Sequence, residues 1–218
     1  MKNEIIKLEK QFCDKYNAIP DELKVQYKSL LEIDNITLDT TEYSEAILMR
    51  LISYYSFQNK IKKLLGKRYA TAGADFFVET VLFYLKFIVE KFAPDLEVWS
   101  ERAIEKKRGA IRPDISVWKG DEVIAIIECK TQLGWNREKW EEDFLKREIN
   151  LKEKFPKAKA YLLVMSLENW PGFGDNCNCG SKYFVLSKYW PGILSVVQAD
   201  AIEMPIEKLF ENIIFRKG

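Results

Sequence analysis

Histidine is absent from this 218-residue chain. That excludes histidine general bases, histidine-ligated zinc and the Ser-His-Asp class of nucleophile in one step. Carboxylates, lysine, tyrosine and cysteine are left to do any chemistry. Cysteine is sparse and irregularly spaced, at Cys13, Cys129, Cys177 and Cys179. Four thiols are too few to staple a chain of this length, so they read as reduced thiols of a cytoplasmic protein. Long hydrophobic runs are lacking as well. No window reaches the ~18 uninterrupted apolar residues of a membrane span, and the longest run, Phe83 to Val89, is broken by Lys86. Met1-Lys2-Asn3-Glu4 leads straight into a charged amphipathic pattern with no signal-peptide core. Charge of one sign is not in excess: 34 Lys+Arg face 33 Asp+Glu, a net +1. A polyanion-binding surface therefore has to come from local segregation of charge. What is present, 47% apolar and 31% charged residues, is the composition of a globular domain.

The pattern divides into a helical N-terminal region over 1–66 and a second region over 67–218. In the first, Ile5, Leu8, Phe12 and Tyr16 recur at helical spacing, and Pro20-Asp21-Glu22 reads as the first turn of a further helix. A wide apolar stripe from Ile47 to Leu65 ends at Gly66, placed as a C-terminal helix glycine. Residues 74–92 form an apolar helix, followed by three strand-like runs: Leu96 to Ile104, Ile111 to Trp118 and Val123 to Gln132. The start of the third is apolar on both faces, as in a central strand. Lys119-Gly120-Asp121 is a tight turn joining the second and third. Helical period returns over 137–155, then come short strands at Tyr161–Met165, Phe184–Leu186 and Ile193–Val197, and a last helix opening at Pro205. From 73 to 165 the order is helix, three strands, helix, strand: an α/β fold with a central mixed sheet flanked by helices.

The residues that carry chemistry are Pro113-Asp114, in the middle of the second expected strand, and Glu128-Cys129-Lys130 near the end of the third. Alternation along a strand puts Glu128 and Lys130 on one face and Cys129 on the other. A hairpin turning near residue 120 carries Asp114 towards Glu128. Buried charge persists only when paired or bound to an ion, and two neighbouring carboxylates repel unless a cation lies between them. Hard oxygen donors without histidine suit Mg²⁺, with Mn²⁺ a possible substitute. A lysine beside such an ion is placed to orient the attacking water, a minimal apparatus for phosphodiester hydrolysis. The bland alternative is an ordinary Glu–Lys pair on a half-exposed strand.

The Pro-Asp … Glu-x-Lys pattern on a hairpin, preceded by a helix and followed by helix and strand, resembles the PD-(D/E)xK nuclease superfamily over residues 73–165. That family includes type II restriction endonucleases, Holliday-junction resolvases and repair nucleases. The resemblance implies a restriction-endonuclease-like core, with Asp114, Glu128 and the Cys129 carbonyl as metal ligands and Lys130 as catalytic lysine. It further implies a carboxylate from the preceding helix, for which Glu79 is the candidate and Asp75, one turn earlier, the substitute. Residues 1–66 match nothing in that pattern.

Lys106, Lys107, Arg108 and Arg112 cluster just before Asp114 and suit phosphate backbones, although such runs are also common solvent faces. Gln132 is placed either to touch a phosphate or base edge or simply to end a strand. Cys177-Asn178-Cys179 is half a zinc site at most, and free loop thiols are the simpler reading. Trp135, Trp140, Trp170 and Trp190 serve packing more readily than base stacking. The expectation is thus a Mg²⁺-dependent endonuclease acting on double-stranded DNA, with a type II restriction enzyme, working as a homodimer with a DNA methyltransferase companion, as the first choice within the superfamily. The alternatives are a non-catalytic nucleic-acid-binding module on the same fold and a structure-specific or RNA-directed nuclease.

Overall fold

The computed structural model describes residues 2–106, 108–133, 139–168 and 171–215. The chain divides into two compact units, Met1–Ile36 and Thr37–Gly218.

The first unit is one long helix, α1 (Lys2–Leu31), with a short tail. Pro20 lies inside it and does not open a new helix as expected. Proline deprives the preceding turn of one hydrogen bond, yet the apolar stripe stays in helical phase across it through Tyr16, Ile19 and Leu23. A single helix cannot bury its own stripe, and Ile5, Leu8, Phe12, Tyr16 and Ile19 are each at least half exposed.

The second unit holds α2 (Glu42–Leu65) and α3 (Ala74–Phe92), then β1 (Glu97–Ser100), β2 (Ile115–Lys119) and β3 (Glu122–Lys130). They are followed by α4 (Trp140–Lys154), β4 (Lys159–Ser166), β5 (Tyr183–Ser187) and α5 (Glu207–Ile214). α2 ends at Gly66, whose positive φ of 61° lets its N–H reach the Lys62 carbonyl. α3 spans the residues that its periodicity marks. Gly73 precedes it because a Cβ there would lie 2.6 Å from the Tyr55 hydroxyl.

The five strands form one sheet in sequence order. β1, β2 and β3 are antiparallel neighbours, and β3, β4 and β5 run parallel. β3 is therefore central, as its two apolar faces require. The α4 crossover is what lets β3 and β4 run parallel. β1 is much shorter than the expected 96–104 run. It stops at Ser100 because Glu101 takes a left-handed φ of 52°. β2 likewise begins only at Ile115, so Asp114 lies just before the strand and not at its middle. The expected strand at 193–197 is absent: a 3₁₀ turn, Pro191–Ile193, leads into irregular chain, since Pro191 and Gly192 favour a turn over a ladder.

The β2–β3 hairpin pairs Lys119 with Glu122 across a two-residue loop, with Gly120 in the left-handed region at φ 58°. Val117 pairs with Ala125 but Trp118 with Val123, leaving Ile124 as a bulge. The bulge changes the parity of the strand, so Val123 joins Ile126 in one core cluster instead of sharing a face with Ala125 and Ile127. That cluster packs Trp140, Phe144 and Leu151 of α4 onto Trp118, Ile126, Leu162, Val164 and Val185. Tyr183 is at its centre, its ring 4.9 Å from Trp140 and 5.6 Å from Phe144. On the other face lie Ile115, Val117, Ile127, Leu163 and Phe184, all fully buried. α3 packs on β1 and β3, α2 on β5, and α5 on α3.

Glu207, at the start of α5, closes the N-terminus of α2. Its Oε1 accepts the N–H groups of Tyr43 (2.8 Å) and Ser44 (3.0 Å), and its Oε2 accepts the Ser44 hydroxyl (2.5 Å). The Ser44 oxygen in turn accepts the Ile206 N–H at 2.8 Å. Four polar groups are thereby satisfied where Thr41, the residue before α2, makes no side-chain cap.

Candidate functional site

Asp114 and Glu128 occupy the end of the β2–β3 ladder. The register pairs Ile115 with Ile127, so one further step sets 114 opposite 128 with both side chains on the α4 face. Asp114 is tied down there: its Oδ2 accepts the Cys129 N–H at 2.7 Å, while its carbonyl accepts the Ser100 hydroxyl at 2.8 Å. Pro113, buried immediately before it, removes one backbone freedom at this corner.

Glu128 is 3% exposed, on the same face as the apolar Ile126. Two cations reach it. Lys130 Nζ lies 3.9 Å from Oε2, and Arg147 Nη1 lies 2.5 Å from Oε1. Both cationic side chains are about half exposed. Burial pushes the Glu128 carboxyl above its ordinary range; Arg147 opposes that, Asp114 adds to it, and Lys130 opposes it more weakly. The carboxylate is therefore held in tension, desolvated beside a second acid and relieved, among the described residues, by two half-exposed cations from the solvent side. Cys129 points to the opposite face, and burial pushes its thiol well above the usual range, which leaves it an unreactive core side chain.

The structure thus brings together Asp114, Glu128 and Lys130. Glu79 is elsewhere: it is exposed on α3, and with Asp75 its charge acts on the Tyr54 hydroxyl of α2, itself raised mainly by burial. Among the described residues, no three carboxylate or thiol side chains gather around one point. Lys106, Arg108 and Arg112 are exposed in the loop between β1 and β2; Lys107 lies outside the described residues. Gln132 follows the end of β3, partly buried. Trp140 is core, and Trp190 packs on Tyr55 with ring centroids 4.7 Å apart; Trp135 and Trp170 lie outside the described residues. The Cys179 thiol donates to the Phe173 carbonyl at 3.1 Å, and Cys177 is exposed.

Sequence reasoning missed Arg147. It treats α4 as a solvent face laced with i,i+4 pairs, and such pairs are present at Glu142–Lys146 (2.6 Å) and Glu148–Lys152 (2.8 Å). Arg147, however, is three residues after Phe144 and four before Leu151, both buried against the sheet. A charged residue in the phase of the apolar stripe was the signal.

No protein-family model matches the chain, and no curated protein sequence matches it. No helix among the described residues is long and apolar enough to cross a membrane.

Proposed function

We propose that the protein is a Mg²⁺-dependent endonuclease with a restriction-endonuclease-like core, hydrolysing phosphodiester bonds of double-stranded DNA. The observation that carries this reading is the convergence of Asp114 and Glu128 at the end of a central strand, with Lys130 3.9 Å from the buried carboxylate. Two hard carboxylates, one of them desolvated beside two half-exposed counter-ions, form a donor set suited to Mg²⁺ or Mn²⁺. Asp114, Glu128 and the Cys129 carbonyl are the residues to hold it; Glu79 would have to approach from α3. A cation bound there supplies Lewis acidity towards the phosphoryl oxygens and lowers the pKa of an attacking water.

The chain's own residues do the rest. Lys130, on the same strand face as Glu128, orients the water for in-line attack and stabilises developing negative charge. Asp114, fixed by the Cys129 N–H, keeps the second carboxylate in place without a change of rotamer on binding. Lys106, Arg108 and Arg112, exposed a few residues upstream, suit the duplex backbone. The exposed stripe of α1 suits pairing of two copies, which cutting both strands in one event requires. A type II restriction role with a methyltransferase companion is the specific form we favour.

The test is nicking of supercoiled plasmid by the full chain. We expect cleavage with Mg²⁺ or Mn²⁺ that EDTA stops and that Lys130→Ala abolishes while the variant stays folded. Undiminished cleavage by Lys130→Ala places the chemistry elsewhere. Binding without cleavage supports a non-catalytic nucleic-acid module, and preference for a four-way junction or RNA over linear duplex redirects the substrate.

A further inference from the structure

Arg147 has no place in the expected ligand and lysine set, yet it makes the closest contact with the buried carboxylate of the site. Its Nη1 is 2.5 Å from Glu128 Oε1, against 3.9 Å for Lys130 at Oε2. α4 holds the arginine from a fixed base. Phe144 and Leu151 anchor the helix in the core on either side, and Glu148 is paired to Lys182, just before β5. The stem and head of Arg147 remain about half exposed, so the guanidinium can leave Glu128 by rotating its side chain, without movement of the helix.

A divalent cation and a guanidinium compete for the same carboxylate oxygen, because their charges repel across a poorly screened gap. Without a cation, Glu128 beside Asp114 needs a counter-charge, and Arg147 provides it. With a cation, that need disappears. A displaced guanidinium at the rim has five donors in a planar fork, the geometry that suits a phosphodiester.

We infer that Arg147 is an exchangeable counter-ion: it holds Glu128 in the metal-free protein, yields it to the divalent cation, and then contacts the substrate phosphate backbone. This rests on the metal-nuclease reading above. It adds a regulation of the same site, in which cation binding and phosphate binding are coupled through one side chain.

The test begins with Mn²⁺ binding to the full chain without DNA, by calorimetry or the loss of the free-ion spin signal. Removal of the competing charge in Arg147→Gln should tighten Mn²⁺ binding about tenfold, whereas Arg147→Lys, which keeps the charge, should stay near wild type. Equal or weaker Mn²⁺ binding by Arg147→Gln overturns the inference while leaving the nuclease reading intact. So does equal tightening in Arg147→Lys, which would make the effect one of packing. A folded wild type that takes up no Mn²⁺ overturns both. The second measurement is the salt dependence of duplex DNA affinity. In Ca²⁺, Arg147→Gln should lose about one unit of the log–log slope, the share of one phosphate contact, and in EDTA it should lose none. The same slope for wild type and variant in Ca²⁺ overturns the phosphate half of the proposal.

Discussion

Among the described residues two glutamates are almost wholly buried, Glu128 at 3% and Glu207 at 1% exposure, and their surroundings differ in kind. Glu207 is met by fixed, neutral donors: two backbone N–H groups at the start of α2 and the Ser44 hydroxyl. Those groups are positioned by the backbone and serve as the helix cap. Glu128 is met by the tips of two long cationic side chains that are half in solvent, and it sits beside another acid. The first arrangement is finished, because each oxygen has a partner that cannot leave. The second is provisional, because each partner can be exchanged. A carboxylate buried for stability is surrounded by dipoles, and one buried for binding is surrounded by replaceable charge.

The largest effect that would sharpen this contrast is catalytic. Asp114→Asn should lower plasmid nicking by at least about a hundredfold, the scale of a lost ligand or acid–base group, with melting temperature nearly unchanged. A variant that cuts as well as wild type breaks the contrast on the functional side. Next comes Glu207→Ala, which orphans two N–H groups and a buried hydroxyl. It should destabilise by about 3 kcal/mol, or about 10 °C in melting temperature for a chain of this size, and any loss of nicking should follow the loss of folded protein. An unchanged melting curve would break the contrast on the structural side.

Glu128→Gln should go the opposite way from Glu207→Ala. Because burial holds the Glu128 carboxyl above its unfolded value, the native state binds the proton more tightly, and stability falls as pH rises between the two values. An isosteric amide avoids that loss. In metal-free buffer at neutral pH the variant should therefore melt about 2–4 °C higher, corresponding to roughly 1 kcal/mol, while nicking is lost. The gap should close below about pH 4, where the wild-type carboxyl is protonated in both states. A lower melting temperature for Glu128→Gln shows that Arg147 and Lys130 already satisfy the acid.

The smallest effect concerns Glu148, which ties α4 to Lys182 and pairs with Lys152 within the helix. Burial pushes this carboxyl up, but its hydrogen bonds to the two lysines bring it below its usual value. The sign is thus opposite to that of Glu128: the stabilisation is present above the ordinary carboxylate range and is lost as pH falls through the lowered value. Lys182→Met should reduce stability by about 1 kcal/mol at neutral pH. Denaturant melts should show that deficit shrinking in acid, and a pH-independent deficit would assign it to packing.

These expectations trace how far the chain can be read before folding. The pairing of Asp114 with Glu128 was legible because fourteen residues and one glycine turn separate them, and strand alternation fixes their faces. α3 was legible to its ends because its apolar residues leave no other reading. The extent of β1 and β2 was not, since the left-handed Glu101 that cuts β1 short follows no residue preference. The parity of β3 was missed because a bulge at Ile124 carries no marker such as glycine. Arg147 was partly legible, lying in the phase of the α4 stripe, but which carboxylate it meets depends on how the helix lies across the sheet. Glu207 was not legible at all as a cap, because the Tyr43 and Ser44 groups it receives lie 164 and 163 residues earlier in the chain.

The sequence by itself determined what short-range rules determine: an α/β alternation, a central strand apolar on both faces, a hairpin that opposes two acids, and the absence of any histidine to share their work. Only the tertiary structure decided which long cation answers the buried acid and which acid caps a distant helix. Periodicity sets the face a residue occupies, whereas the partner across that face depends on the rotation and depth at which helices and strands pack, and many sequence-distant groups compete for those places.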